Sequence, residues 1–236
     1  MKNILHVAII PDGNRRWARS KGLKPWEGHE AGAKNLENIL EFAKELGITH
    51  LTFWGSSRDN LIKRPYRERR ALLQIYKDYF NKVLKSKKIY DNRIKINVLG
   101  DWEKAFPAHL KTLIRKVVAK TRKHNNFIVN FLLAYSGDYE MIEAVKSIAI
   151  DYKKEYLVKI DAKVIKNYLY TKALPEVDLL IRTGSFKDPH LSAGFMMWDT
   201  INSQIYFSKK AWPDFDKMEL KKAIENFCNN ERRYGA

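Results

Sequence analysis

A single cysteine, Cys228, stands in a chain of 236 residues, so no internal disulfide framework exists and the composition suits a reducing compartment. No apolar run approaches the roughly 20 residues that a bilayer-spanning helix needs. Residues 1–10 lack the long apolar stretch and small-residue cleavage site of a secretory leader, and read as a short strand. The expected location is therefore cytoplasmic. Low-complexity tracts, internal repeats and Gly/Ser-rich linkers are also missing, which argues for one domain over residues 1–236. Acidic residues are in deficit: 27 Asp and Glu face 44 Lys and Arg, a formal net charge of +17. Such an excess favours nucleic acid, diphosphate substrates or an acidic membrane surface as partners. Lysines such as Lys85, Lys87, Lys88, Lys221 and Lys222 read as solvated surface, and charge alone does not decide.

What the chain contains is alternation. Apolar runs of strand length at 4–10, 50–54, 94–99, 127–134, 177–181 and 204–207 are separated by segments of helical periodicity. The first, second, fourth and fifth runs have continuous apolar stretches, as strands covered on both faces of a parallel sheet do. Residues 28–46 place Ala31, Leu36, Ile39, Leu40, Ala43 and Leu46 on one helical face, with Gly47 as the stop. Residues 66–88 gather Leu72, Leu73, Ile75, Tyr76, Tyr79, Phe80 and Val83 on an apolar side, with Arg67, Arg69, Arg70 and Lys77 mostly opposite. Helices are also expected over 103–123, 138–153, 161–170 and 216–230. This order predicts an α/β fold with a mostly parallel central sheet of about six strands, flanked by helices and joined by right-handed crossovers. Ligands of such sheets bind beyond the carboxyl ends of the strands, here after Ile10, Trp54, Ala134 and Ile181.

The first of these places reads Pro11-Asp12-Gly13-Asn14-Arg15-Arg16-Trp17. Glycine lets the backbone turn and approach a ligand. A helix beginning near Asn14 would offer free N–H groups, and two arginines match phosphate oxygens with their forked donors. Asp12 would repel a diphosphate unless a divalent cation lay between them, and magnesium binds through one or two carboxylates plus substrate phosphates. The competing reading makes Asp12 an ordinary N-cap and the arginines solvated. Spacing leaves both open. Trp17 reads by type as a packing residue.

Beyond spacing, residues 6–18 (HVAIIPDGNRRWA) resemble the opening signature of the undecaprenyl diphosphate synthase family of cis-prenyltransferases. The similarity continues through Gly28-His29-Glu30-Ala31-Gly32, Leu46-Gly47-Ile48 and Leu51-Thr52. It returns at Asp178-Leu179-Leu180-Ile181-Arg182-Thr183-Gly184, at Trp212-Pro213-Asp214-Phe215-Asp216 and at Glu231-Arg232-Arg233-Tyr234-Gly235. The resemblance implies a homodimer with an apolar tunnel that condenses an allylic diphosphate, such as farnesyl diphosphate, with isopentenyl diphosphate. Asp12 would then hold Mg2+ on the allylic diphosphate. Gly13, Asn14, Arg15, Arg16, His29 and Arg64 would contact the same group, with Trp17 carried in the substrate-binding set. Ser57 and Asn60 match the family's Ser-x-x-Asn segment before Arg-Pro, and Leu61 replaces its usual tryptophan. Asn60 is too weak a base to take a proton, so its catalytic role is positioning, with the released diphosphate as acceptor. Turn chemistry is the plain alternative for Ser57 and Asn60.

The second-substrate side departs from the pattern. Arg182 and Ser192 match, but the arginine expected before that serine is missing, with His190 or Lys187 in its place. Gln204 stands where a glutamate is expected, and Pro25, beside Lys24, where an arginine is. Histidine loses the bidentate fork of arginine. The terminal Arg233-Tyr234-Gly235 resembles a motif that reaches the partner subunit's second-substrate site. Tunnel candidates are Leu72, Ile75, Tyr76, Tyr79, Phe53, Phe131 and Leu133, each equally a core type. The alternatives are a related enzyme with a different acceptor, a basic nucleic-acid-binding module and a non-catalytic subunit. No nucleic-acid recognition motif accompanies the charge, and Asp12, Asn14, Arg16, Asn60 and Arg64 speak against a silent subunit. Peripheral membrane contact for product release fits the basic surface.

Overall fold

The computed structural model describes residues 6–157, 159–185 and 189–230. The expected strand start at residue 4, Lys187 and the Arg233-Tyr234-Gly235 motif lie outside the described residues.

Six strands form one wholly parallel sheet: β1 (His6–Ile10), β2 (His50–Trp54), β3 (Ile94–Leu99), β4 (Phe127–Leu132), β5 (Leu179–Arg182) and β6 (Gln204–Phe207). Their order is β3-β4-β2-β1-β5-β6. The four inner strands are the four apolar runs, and the edges β3 and β6 are only partly covered. Alternation along β1 divides the core. Val7 and Ile9 pack with Leu36, Leu72, Ile114 and Phe227 on one face, and Ala8 and Ile10 with Tyr135, Leu174 and Phe195 on the other.

The helices are α1 (Asn14–Ser20), α2 (Pro25–Glu45), α3 (Arg58–Lys63), α4 (Tyr66–Lys85), α5 (Lys87–Asp91), α6 (Trp102–Ala105), α7 (Ala108–Thr121), α8 (Gly137–Lys153), α9 (Ala162–Tyr168) and α10 (Lys217–Asn229). Three expectations need correction. Helix α2 starts at Pro25 rather than residue 28, because proline suits the first helical position and the Glu27 carboxylate accepts the Lys24 N–H at 2.7 Å. The helix expected over 103–123 is broken before Pro107, which disfavours helix in the residue ahead of it. The helix expected over 66–88 stops at Lys85, where Ser86 turns extended and α5 begins anew.

A polar chain runs through the sheet. His6 Nδ1 faces the Pro175 carbonyl at 2.9 Å, so that nitrogen carries the proton and Nε2 accepts from the Thr52 hydroxyl at 2.7 Å. Thr52 Oγ1 accepts from Asn130 Nδ2 at 3.0 Å, and Asn130 Oδ1 from Asn97 Nδ2 at 2.8 Å. Burial lowers the His6 pKa to about 4. The unfolded histidine takes a proton below its ordinary 6.5 while the folded one refuses it, so stability is full above that value. It falls as pH drops from 6.5 towards 4, by up to about 3 kcal/mol. Denaturant titrations across this range should show that slope, and His6→Gln should flatten it; an unchanged slope would exclude His6 as its source.

Candidate active site

Strand β1 delivers Asp12 to the carboxyl edge of the sheet, beside β5 and the Arg182 at its end. The Asp12 backbone is fixed first. The Thr183 hydroxyl accepts its N–H and donates to its carbonyl, each at 2.9 Å, and the Trp212 N–H reaches the same carbonyl at 2.9 Å. Gly13, not Asp12, is the N-cap of α1, with φ 97°. A β-carbon there would lie 2.8 Å from that of Ala211, so no other residue makes this turn unstrained. The plain N-cap reading of Asp12 therefore fails. Its carboxylate instead accepts the Gly13 N–H at 2.6 Å, takes Arg182 Nη2 at 3.0 Å and lies 3.3 Å from Arg16 Nη2.

Helix α2 crosses close over α1. A β-carbon on Gly28 would stand 2.2 Å from the Asn14 carbonyl oxygen, which is backbone and cannot swing aside. Gly28→Ala should push α1 outward and lower stability by about 1–3 kcal/mol, read as a drop in Tm; an unshifted Tm would mean the helices separate freely. This close crossing sets His29 in the second turn of α2, rather than at its start, facing α4.

There it meets Glu68, a residue that sequence reasoning passed over. Glu68 is 3% exposed. One oxygen lies 3.1 Å from Arg64 Nη1, 3.1 Å from His29 Nε2 and 3.7 Å from Arg15 Nε. Arg64 Nη1 is also 2.8 Å from His29 Nε2. The imidazole nitrogen thus sits between the Arg64 donor and the Glu68 carboxylate. Burial and the Arg64 charge lower its pKa, against the pull of Glu68.

Arg182 is the other anchor. Its Nη1 donates to Ser192 Oγ at 2.7 Å and to the His190 carbonyl at 2.5 Å. The His190 backbone oxygen thus holds Arg182, while its imidazole Nε2 lies 3.4 Å from the Ser192 hydroxyl. The Nε atoms of Arg64 and Arg182 are buried without a hydrogen-bond partner among the described residues, donors that an anionic ligand would satisfy. Ser57 N-caps α3 by accepting the Asn60 N–H at 3.0 Å, so its turn chemistry is real, and both residues still face the cavity.

The parts converge on one cavity of about 330 Å³. Asp12, Asn14, His29, Ser57, Asn60, Arg64, Arg182 and Ser192 line it. All seven tunnel candidates line it as well, joined by Phe80 and Trp212. A second hollow of about 260 Å³ gathers Gly13, Arg15 and Arg16 around Asp12, His29 and Arg64. Trp17 is in neither lining; its indole N–H donates to Asp214 at 2.8 Å and Lys21 lies over its ring. Gln204 sits on the edge strand β6, and Pro25 opens α2, both away from these linings. One exposed carboxylate without a cluster of three ligating side chains among the described residues suits an ion held jointly with phosphate oxygens.

The undecaprenyl diphosphate synthase family model matches residues 10–235. A Pyrococcus horikoshii protein named tritrans,polycis-undecaprenyl-diphosphate synthase (geranylgeranyl-diphosphate specific) is 37% identical over 98% of this chain and 86% of its own. A Methanopyrus kandleri protein of the same name is 36% identical over 98% and 84%. Among solved structures, lavandulyl diphosphate synthase from Lavandula x intermedia, in complex with dimethylallyl diphosphate, superposes with a TM-score of 0.90 at 29% identity, covering 99% of both chains. With a match of this extent and a charged and apolar cavity at the sheet's carboxyl edge, the chain belongs to the undecaprenyl diphosphate synthase family of cis-prenyltransferases.

Proposed function

We propose that the protein condenses an allylic diphosphate with isopentenyl diphosphate to give a polyprenyl diphosphate. The observation that carries this reading is the mixed lining of the 330 Å³ cavity: Asp12 and Arg182 at the ends of β1 and β5, His29, and Arg64 just ahead of α4, then Leu72, Tyr79 and Phe80 further along α4 with Phe53 and Phe131 inside their strands. A prenyl diphosphate has the matching mixture, an anionic head on an apolar tail. Asn14, Arg15, Arg16, His29 and Arg64 hold the diphosphate, and their fixed donors stabilise the charge that develops as the allylic C–O bond breaks. Asp12 would hold magnesium against that diphosphate, which when bound neutralises part of the same charge. Ser57 and Asn60 orient isopentenyl diphosphate, whose alkene carbon bonds to the allylic carbon. The proton lost in forming the new double bond passes to the released diphosphate. The apolar part of the lining receives the growing chain as a tunnel.

Arg182 and Ser192 bind the second substrate. Arg182→Lys keeps the charge and loses the fork, so KM for isopentenyl diphosphate should rise about 10- to 100-fold with little change for the starter; an equal rise for both substrates would contradict this division. A second reading, with a different acceptor, draws on the missing fork before Ser192 and on the likeness to lavandulyl diphosphate synthase. Incubation with labelled isopentenyl diphosphate, magnesium and either farnesyl or geranylgeranyl diphosphate, then chromatographic sizing, tests the first, and the same incubation with a labelled allylic diphosphate alone tests the second. No label in a longer product would overturn the first reading; product from two allylic diphosphates would establish the second.

The working form we propose is a homodimer in the cytoplasm. Exposed Ile142 and Val145 on α8, and Met197, Ile201 and Ile205 near β6, supply apolar surface for a second copy. No helix among the described residues is long and apolar enough to cross a membrane.

A further inference from the structure

Helices α3 and α4 carry a second chemistry on the surface beside the cavity. A groove of about 770 Å³ runs between them and the segment from Asp101 to His109. Arg69, Arg70 and Lys77 line it, and none of the three is paired with a carboxylate among the described residues. The neighbouring acids are already engaged. Asp101 is held by Lys104 at 3.3 Å and Arg58 at 4.0 Å, Asp59 by Lys63 at 2.5 Å, and Asp78 accepts from Gln74 at 2.8 Å. The groove is therefore positive. It is also apolar at its rim: Ile62 is 65% exposed and Tyr66 67% exposed, with Arg69 over the tyrosine ring at 5.8 Å.

Single exposed apolar residues are ordinary, but two large ones flanked by uncompensated cations in one groove are not. We infer that this face docks the protein on an anionic phospholipid surface. Cations are drawn to the headgroup layer, and an amphipathic tyrosine with an aliphatic neighbour enters the boundary beneath it. A nucleic acid would use the cations and Tyr66 but offers nothing to Ile62, which has no face for stacking. The same short helix α3 lends Asn60 to the catalytic cavity and Ile62 to the groove, so docking here brings a helix of the cavity wall to the bilayer.

The test is sedimentation of the full chain with vesicles of phosphatidylcholine alone or mixed with phosphatidylglycerol, at low and physiological salt. Binding should require the anionic lipid. Neutralising Arg69, Arg70 and Lys77 together to glutamine should weaken it roughly 100-fold. The matched triple change Lys116→Gln, Lys120→Gln, Lys123→Gln on and after α7 should cost no more than a few-fold, and Ile62→Ser with Tyr66→Ser should abolish binding at physiological salt. No binding by the unaltered chain, equal loss in both triple variants, or binding to duplex DNA that the groove variant alone loses would each overturn the inference. Circular dichroism melting shows that each variant is folded. Sedimentation involves no turnover, so failure here leaves the condensation reaction to its own assay.

Discussion

Asp12→Asn lowers the condensation rate about 1,000-fold and leaves the melting temperature within a few degrees. The two halves of this result have separate causes. Asp12 Oδ1 accepts the Gly13 N–H, and an asparagine carbonyl does the same, so the turn into α1 survives. The side chain is 39% exposed, so solvent replaces part of its contact with the buried Arg182, which keeps its bonds to Ser192 and the His190 carbonyl. What disappears is the negative charge between Arg16 and Arg182 and, among the described residues, the only carboxylate lining the cavity. Losing one pre-placed charged contact to a developing oxyanion costs roughly 100- to 1,000-fold, and loss of the metal's carboxylate puts Asp12 at the upper end. Steady-state rates with saturating substrates measure it, and a variant retaining a tenth of the activity would remove Asp12 from the chemistry.

Glu68→Gln has its main effect on the fold. Arg64 is largely buried, and Glu68 is the carboxylate that compensates its charge. Taking away one partner of a buried pair leaves an uncompensated charge, at a cost of roughly 3 kcal/mol. Some of this is relieved by solvent at Arg15, which is nearly half exposed. The sign of a second effect separates an electrostatic role from a merely structural one. Removing a negative charge from against the lining residues Arg15 and Arg64 makes the site more positive, so inorganic diphosphate should inhibit the variant more strongly. Urea denaturation measures the first effect and inhibition of condensation the second. Weaker inhibition would mean that Glu68 shapes the pocket without tuning its charge.

The sheet was legible because inner parallel strands carry near-continuous apolar runs, and β1, β2, β4 and β5 do so with few polar interruptions such as Thr52 and Asn130. The chain's own punctuation gave most helix ends, and the signal at Pro107 was present but outweighed by the apolar period around it. Helix α3 was hidden: six residues are too few for a period, and Ser57 and Asn60 resemble a turn. The charged part of the site could be read because its residues sit together after β1 and recur as blocks along the chain. Glu68 could not. A glutamate among four arginines looks solvated, and its burial depends on His29, 39 positions earlier, arriving on another helix. Thr183 was equally silent, since only the pairing of β1 with β5 sets its hydroxyl against Asp12.

The polar chain through the sheet has one more consequence. Thr52, Asn130 and Asn97 face one another as a rung across three adjacent parallel strands. Sliding any one strand by a single residue would turn its polar member to the opposite face and strand its neighbours' buried groups, each worth about 1–3 kcal/mol. Aliphatic strands of similar composition tolerate many alignments almost equally well. This rung tolerates one, and so acts as a key that lets segments from distant parts of the chain recognise when they have been stacked correctly.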